Sequence, residues 1–420
     1  MERYSEYKDS GVQWLGEIPG HWKAVRVKAL LSERVDKSDT GLEEPLSMSQ
    51  KYGIIPTKEM DVVPNMASTF IGAKRVFKRD LVFNKLKAHL GVFAISKYDG
   101  LVSPDYAVYT PNERTYLPFM EYVFHTPLYI GEFTRRATGV AIGLTRLYTN
   151  GLFAIPFLYP PIEEQHSIVS YLDDKCGKID KMLEGKQKQI ELLAEMKQRI
   201  IADAVTHGLN PDVKMKATNI PWLQEIPEHW DVIRIKWLFK EEDEKNIDLS
   251  YQLLSFSRNK GIIPFSENSD KAPSASDLSK YKILHKGQLL ENRMQAWSGM
   301  FGCSFIEGCV SPDYSVFSPL DRANTEYYAH LFRTPLYVQQ FANASKGIGD
   351  GFNRLYTPQF QRIYAICPPL PEQQAIVLYI TDKTAKIDTL TSKLQQEIES
   401  IKEYKQRLIS DVVTGQIKVC

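Results

Sequence analysis

WLGEIPGHWKAVRVKALL (Trp14 to Leu31) and WLQEIPEHWDVIRIKWLF (Trp222 to Phe239) are identical at 10 of 18 positions and stand 208 residues apart. Internal repeats decide architecture, and this offset persists along the chain. YGIIP at Tyr52 matches KGIIP at Lys260, and VSPDY at Val102 recurs unchanged at Val310. TPLY recurs at Thr126 and Thr334, and RLYT at Arg146 and Arg354. PPIEEQ at Pro160 matches PPLPEQ at Pro368, and EMKQRII at Glu195 matches EYKQRLI at Glu403. Every pair keeps the same offset. Two copies are too few for a solenoid, so the sequence reads as a tandem duplication with pseudo-twofold character.

The 420 residues, 43% of them hydrophobic, suffice for two or three domains with their own cores. The formal net charge is +1, so any nucleic-acid surface must be a local patch on a neutral body. No signal peptide and no run of 18 apolar residues is evident, which leads us to expect a cytoplasmic protein without membrane contact. Five cysteines (Cys176, Cys303, Cys309, Cys367, Cys420) form no CxxC pair and do not repeat between copies. Buried thiols are the expectation, and no metal site. His21 and His229 do repeat, each in a Pro-x-His-Trp segment where packing is the expected role.

Each copy divides in two. The first part, residues 1–158 and again 216–366, mixes short β-rich runs with Gly, Pro, Asn and Asp punctuation and a helical segment near TPLY. It reads as a compact α+β domain. The second part, residues 159–215 and 367–420, opens at a Pro-Pro pair, as expected of proline at a helix start. A seven-residue stripe follows: Leu172, Ile179, Lys186, Leu193 and Ile200, then Ile380, Ile387, Leu394, Ile401 and Leu408. Its companion runs Cys176, Leu183, Ile190, Lys197 and Ala204, then Thr384, Thr391, Ile398, Lys405 and Val412. This is the coiled-coil pattern. Some 30 residues of helix span roughly 45 Å. The simplest arrangement pairs the two helices with each other, antiparallel.

Enzyme signatures are missing. There is no GxxxxGK[ST], no GxGxxG after a strand, no HExxH and no GxSxG. Neither Asp105 nor Asp313 is followed within the next few dozen residues by the D/E-x-K of a Mg²⁺ nuclease, and Asp243-Glu-Lys245 precedes Asp313 without a counterpart in the first copy. No [ND]PP[YF] loop is present to hold a flipped base.

Binding features fall at matched positions. Lys74, Arg75, Lys78, Arg79, Lys85 and Lys87 crowd a stretch with one acid, Asp80. Such density suits phosphate contacts, or else an ordinary solvated face. Asn84 coincides with Asn292, and around them Lys85, Lys87 and His89 face Arg293, Gln295 and Trp297. A shared framework with different hydrogen-bonding side chains is what two readers of different half-sites would look like. The identical VSPDY supplies a turn signal, with Ser103, Asp105 and Tyr106, and Ser311 and Tyr314, as candidate DNA contacts. The Gly-rich stretches Gly139–Thr149 and Gly347–Thr357 lead to Arg146 and Tyr148, and to Arg354 and Tyr356. Glycine permits close approach to a phosphate backbone. The arginines could fork onto guanine, clamp a phosphate, or pair with a carboxylate.

DSGVQWLGEIPGHW at the N-terminus, the RLYT loops, and PPIEEQ or PPLPEQQ running into a long helix resemble the specificity subunit of type I restriction–modification systems. The resemblance covers essentially the whole chain, although Arg-Leu-Tyr stands where many family members carry a Gln-rich loop. It implies two α+β target recognition domains separated by two long antiparallel helices, in a circular pseudo-dyad arrangement. It further implies a bipartite double-stranded DNA target. Two methyltransferase subunits would methylate adenine N6 with S-adenosylmethionine, and ATP-dependent, Mg-using restriction/translocase subunits would complete the complex. On this reading the chain itself is non-catalytic and binds no cofactor. A coiled-coil interaction scaffold without DNA specificity is the alternative; it predicts no basic groove and no salt-dependent DNA binding.

Overall fold

Each proline pair ends a strand and starts a helix. In the computed structural model, which describes residues 2–49, 52–62, 69–139, 145–258, 260–268, 277–347 and 353–419, strand Pro156–Tyr159 precedes the helix Ile162–His207. Strand Tyr364–Cys367 likewise precedes the helix Leu370–Val413. The chain forms two compact units, residues 1–186 with 396–420, and residues 187–395. Each unit therefore takes part of both long helices, where the sequence reading set the helical regions apart as spacers.

The helices pack antiparallel, as the stripe predicts. In the first unit the start of the first helix (Ile168, Leu172) shares a core with the end of the second (Leu408, Val412). In the second unit Ala204 and Val205 share a core with Ile376 and Ile380. The three lysines that interrupt the stripe each meet an acid on the other helix. Lys186 pairs with Glu397, Lys197 with Asp388 at 2.6 Å, and Lys405 with Asp180 at 2.6 Å. Charged stripe positions of this kind fix the register between helices.

Both units contain the same antiparallel four-stranded sheet. In the first its order is Leu31–Arg34, Tyr106–Pro111, Leu81–Asn84, Phe93–Ile95. In the second it is Phe239–Glu242, Tyr314–Pro319, Leu289–Asn292, Phe301–Cys303. Side chains alternate across a strand, and here both faces are buried. Leu81, Phe83, Ala107 and Tyr109 enter the large core with the helices, whereas Val82 and Val108 enter a smaller core. That smaller core lies under the hairpin of Leu46–Ser49 and Gly53–Pro56. Two-sided burial accounts for the apolar runs LVF (81–83) and AVY (107–109) in the two central strands of the first unit.

The repeated motifs lock sheet, helix start and lead-in segment together. Glu164 and Glu372, in the first helical turns, each accept from the histidine of the HW pair, with His21 and His229 Nε2 at 2.8 Å. Trp230 Nε1 adds a bond to Glu372 at 3.0 Å. Gln165 and Gln373, both buried, donate to the carbonyls of Pro160 and Pro368 at 2.9 and 2.8 Å. Tyr129 and Tyr337 of TPLY are fully buried and take backbone donors from Leu158 and Ile366. Trp14 and Trp222 pack edge-on against them. His21 and His229 are themselves exposed, so where packing was expected of them the structure gives an acid partner at the helix start, and the neighbouring tryptophans do the packing.

Candidate nucleic-acid interface

The sheet order joins three stretches that are distant in sequence. Asn84, ending one central strand, lies opposite Tyr106, which begins its neighbour, and Asn292 lies opposite Tyr314. Beyond each asparagine the chain makes a tight loop around a 3₁₀ turn, Ala88–Leu90 or Ala296–Ser298. Gly91 and Gly299 close these turns at φ of 73° and 84°, a conformation only glycine adopts freely. The asparagine side chains fold back on the loop: Asn84 Oδ1 accepts from Leu86 N and Asn292 Oδ1 from Met294 N. The RLYT segment then docks on the same loop. Leu147 N donates to Lys85 O at 3.0 Å, and Leu355 N to Arg293 O at 3.1 Å.

VSPDY forms a turn in both copies. Tyr106 N donates to Ser103 O and Tyr314 N to Ser311 O, both at 3.0 Å. The serine hydroxyls accept from Asp105 N and Asp313 N. Burial pushes the Tyr106 and Tyr314 phenols up. Arg146 Nη2 lies 3.6 Å from Asp105, and Arg354 Nη2 3.9 Å from Asp313. Lys87, Gln295, Trp297, Tyr148 and Tyr356 are exposed at this surface, while Lys85, His89 and Arg293 are half-buried. Arg293 donates to the carbonyls of Asp313 and Pro312, at 2.9 and 2.5 Å. Trp297 Nε1 is bonded to Met294 O, and the side chain stays exposed.

The basic run disperses. Lys74 and Arg75 lie in strand Lys74–Val76, beside acids of other segments. Lys74 is buried, with Nζ 3.7 Å from Glu33; burial first, and Lys85 second, hold its pKa down. Arg75 binds Glu43 at 2.8 Å and Asp36 at 3.0 Å. Ser38 and then Arg75 pull the Glu43 carboxyl down to about 2. Asp80 is taken by Arg34. Of the six basic residues in that run, Lys85 and Lys87 are the two in the loop that meets RLYT. In the Gly-rich stretches, 140–144 and 348–352 lie outside the described residues, and with them the glycine–phosphate approach read from sequence.

Sequence reasoning passed over two arginines. Arg258 Nη2 bonds Ser298 at its carbonyl and hydroxyl oxygens (2.9 and 2.8 Å), and Arg333 Nη2 bonds Arg258 O at 3.0 Å. They flank the Trp297 loop in the second unit. The signal was available: Arg333 replaces His125 before an otherwise identical TPLY. Lys282, the counterpart of Lys74, is also buried, 3.3 Å from Asp243. Among the described residues no His, Cys, Asp and Glu cluster is arranged to hold a metal ion.

The two units differ beneath this surface. Phe83 stacks on Phe93 at 4.5 Å in the first. Its counterpart in the second is Glu291, and Phe360, in place of Leu152, stacks on Phe301 instead. Glu291 is fully buried, and among the described residues neither oxygen has a hydrogen-bond partner; Ser315, opposite it, is likewise unsatisfied. Burial raises its pKa well above the usual carboxylate range, against Arg293 and Lys282, which lower it. An unfolded glutamate ionises near pH 4.3. Above that pH the folded chain holds the proton that the unfolded chain has lost, so stability falls as pH rises toward the raised value. Glu291→Gln is expected to remove this dependence, raising stability by about 1–2 kcal/mol at pH 8 and less at pH 5. Urea midpoints at the two pH values check it; an equal gain at both would contradict the assignment.

Residues 227–400 match the family described as the type I restriction modification DNA specificity domain. The chain is 23% identical, over 96% of both chains, to a Methanocaldococcus jannaschii protein assigned as the type I restriction enzyme MjaX specificity subunit. It is 23% identical to the MjaVIII specificity subunit of the same organism, over 62% of this chain and 61% of that one. The similarity is thus to type I restriction enzyme specificity subunits, with the family's DNA specificity domain matched within the second copy. Solved structures agree on the fold. A chain from a study of complex assembly and conformational transition in the type I R-M system aligns with a TM-score of 0.66, at 16% identity, over 95% of this chain and 99% of that one. The HsdS subunit from Thermoanaerobacter tengcongensis aligns at 0.52, also at 16% identity, over 95% and 98%. No helix among the described residues is long and apolar enough to cross a membrane.

Proposed function

We propose that this chain is a specificity subunit that reads a bipartite double-stranded DNA target, one half-site per unit, through the surface built by the asparagine loop, the SPDY turn and RLYT. One observation carries this reading: the same backbone framework occurs twice, and the side chains it displays differ, with Lys85, Lys87 and His89 against Arg293, Gln295 and Trp297. Two half-sites of unlike sequence need that combination. Asn84 and Asn292, Ser103 and Ser311, Tyr106 and Tyr314, Arg146 and Arg354, and Tyr148 and Tyr356 form the common part. Lys74 and Arg75, read from sequence as DNA contacts, are engaged by Glu33, Glu43 and Asp36 and are left out of this surface.

In this reading the chain performs no chemistry and holds no cofactor. Two methyltransferase subunits methylate adenine N6 using S-adenosylmethionine, and restriction/translocase subunits bring ATP and Mg, all in the cytoplasm. The long helices leave Met182, Leu192, Met196, Leu378 and Leu390 about half exposed or more, an apolar supply suited to protein partners.

The test is DNA binding by the complex reconstituted with its methyltransferase subunits, on duplexes identified by methylation mapping. Binding is expected to be sequence-selective and to weaken steeply with salt. Arg354→Ala is expected to lower target affinity by about 1–3 kcal/mol, roughly 5- to 150-fold, the range for a guanidinium forked onto a base. A wild-type complex without sequence preference would favour the interaction-scaffold alternative.

A further inference from the structure

The pairs Arg146–Asp105 and Arg354–Asp313 recur at matched positions while the neighbouring reading side chains change. Each arginine is held by its backbone. Arg146 exchanges both hydrogen bonds with Thr138, and Arg354 with Lys346, at 2.9–3.0 Å. Each aspartate is held by its turn. Only the side chains meet, and they meet loosely: 3.6 and 3.9 Å are charge contacts and not hydrogen bonds. Both partners are exposed by 39–59% of their side chains, so the pairing is weak and exchangeable.

We propose that Asp105 and Asp313 are specificity-determining residues that act by repulsion, holding the arginine when no DNA is bound and penalising DNA of the wrong sequence. The inference rests on the DNA-reading function proposed above. When a duplex docks, the arginine turns to a phosphate or a guanine edge and the aspartate loses its counter-ion. A carboxylate can accept from the amino group of cytosine or adenine in the major groove, so a correct base offsets its charge. Against a wrong base it stands unpaired near phosphates. Discrimination of this kind needs a repulsive element as well as attractive ones. Asparagine at the same place accepts and donates and carries no charge, so it would lack the repulsion toward a wrong base.

The experiment uses the full complex with its methyltransferase subunits, and compares affinity for a target duplex and a scrambled duplex at two salt concentrations. Asp105→Asn with Asp313→Asn is expected to raise scrambled-duplex affinity about 3- to 10-fold and to change target affinity by less than about twofold. The charge-preserving Asp105→Glu with Asp313→Glu is expected to keep more of the discrimination than the asparagine pair. Asp212→Asn, an exposed acid outside both long helices, serves as control and is expected to change nothing. Equal rises on both duplexes, or no rise on the scrambled one, overturn the proposal while leaving sequence-selective binding intact. A wild-type complex that does not discriminate overturns the reading of function itself. Melting temperature and circular dichroism of each variant show whether it is folded.

Discussion

Trp230→Ala is expected to destabilise the second unit by about 3–5 kcal/mol, and Trp22→Ala the first unit by about 1 kcal/mol less. Both rings are fully buried where the HW pair, a helix start and a helix end meet. Removing either leaves a cavity that the packed helix ends cannot fill. The two sites differ in one bond. Trp230 Nε1 donates to Glu372, whereas Trp22 Nε1 is buried with no acceptor among the described residues. The Trp230 variant loses packing and a charge-assisted bond; the Trp22 variant loses packing and sheds an unsatisfied donor. Hydrogen exchange read by mass spectrometry, segment by segment, separates the units, which a single unfolding curve would merge. Protection is expected to fall over 187–207 and 370–395 for Trp230→Ala, and over 162–186 and 396–413 for Trp22→Ala. A loss below about 1 kcal/mol in both, or equal losses, would show that the helix ends hold without the tryptophans.

These junctions mark the boundary of what the sequence could tell. Period is a local property, so the stripe through Ile380, Ile387 and Leu394 announces a packed helix without any knowledge of the partner. The interrupting lysines look like flaws until Asp388, Glu397 and Asp180 are placed across the helix pair, about 200 residues away in sequence. The basic run failed in the opposite direction. Counting charges along residues 74–87 cannot see Glu33, Asp36 and Glu43, which the folded chain brings alongside Lys74 and Arg75. The duplication carried further. It selected the asparagine loop, SPDY and RLYT separately, and the sheet order then joins them. What it could not show is compensation inside one copy. Glu291 in place of Phe83 reads as a polar intrusion into a strand, and makes sense only once Phe360 takes over the stacking position beside Phe301.

Gly100→Ala is expected to cost about 3 kcal/mol locally, and Gly308→Ala somewhat less, without unfolding the large cores. At Gly100 an added Cβ would lie 2.3 Å from the Glu44 carbonyl oxygen, and at Gly308 2.4 Å from Leu254 Cγ and 2.7 Å from the Gln252 oxygen. The obstruction at Gly100 is backbone, and that backbone is engaged: Leu101 N donates to Glu44 O at 2.9 Å. Relief means breaking this bond and lifting the chain that leads into the hairpin over the small core. At Gly308 the nearest atom is Cγ of the buried Leu254, and the Gln252 carbonyl behind it accepts from Cys309 N at 2.8 Å, so relief there also moves backbone, from a slightly longer starting distance. Both glycines open strands, Gly100–Val102 and Gly308–Val310, that run directly into the Ser-Pro-Asp turns. Moving either strand therefore moves Asp105 or Asp313 against its arginine. The expected signature is selective: exchange quickens in residues 44–56 or 252–264, one half of the target loses its sequence preference, and the helix pair keeps its protection. If preference at that half-site survives while the small core opens, the turn is positioned by its contacts with the reading loop and not by the strand behind it.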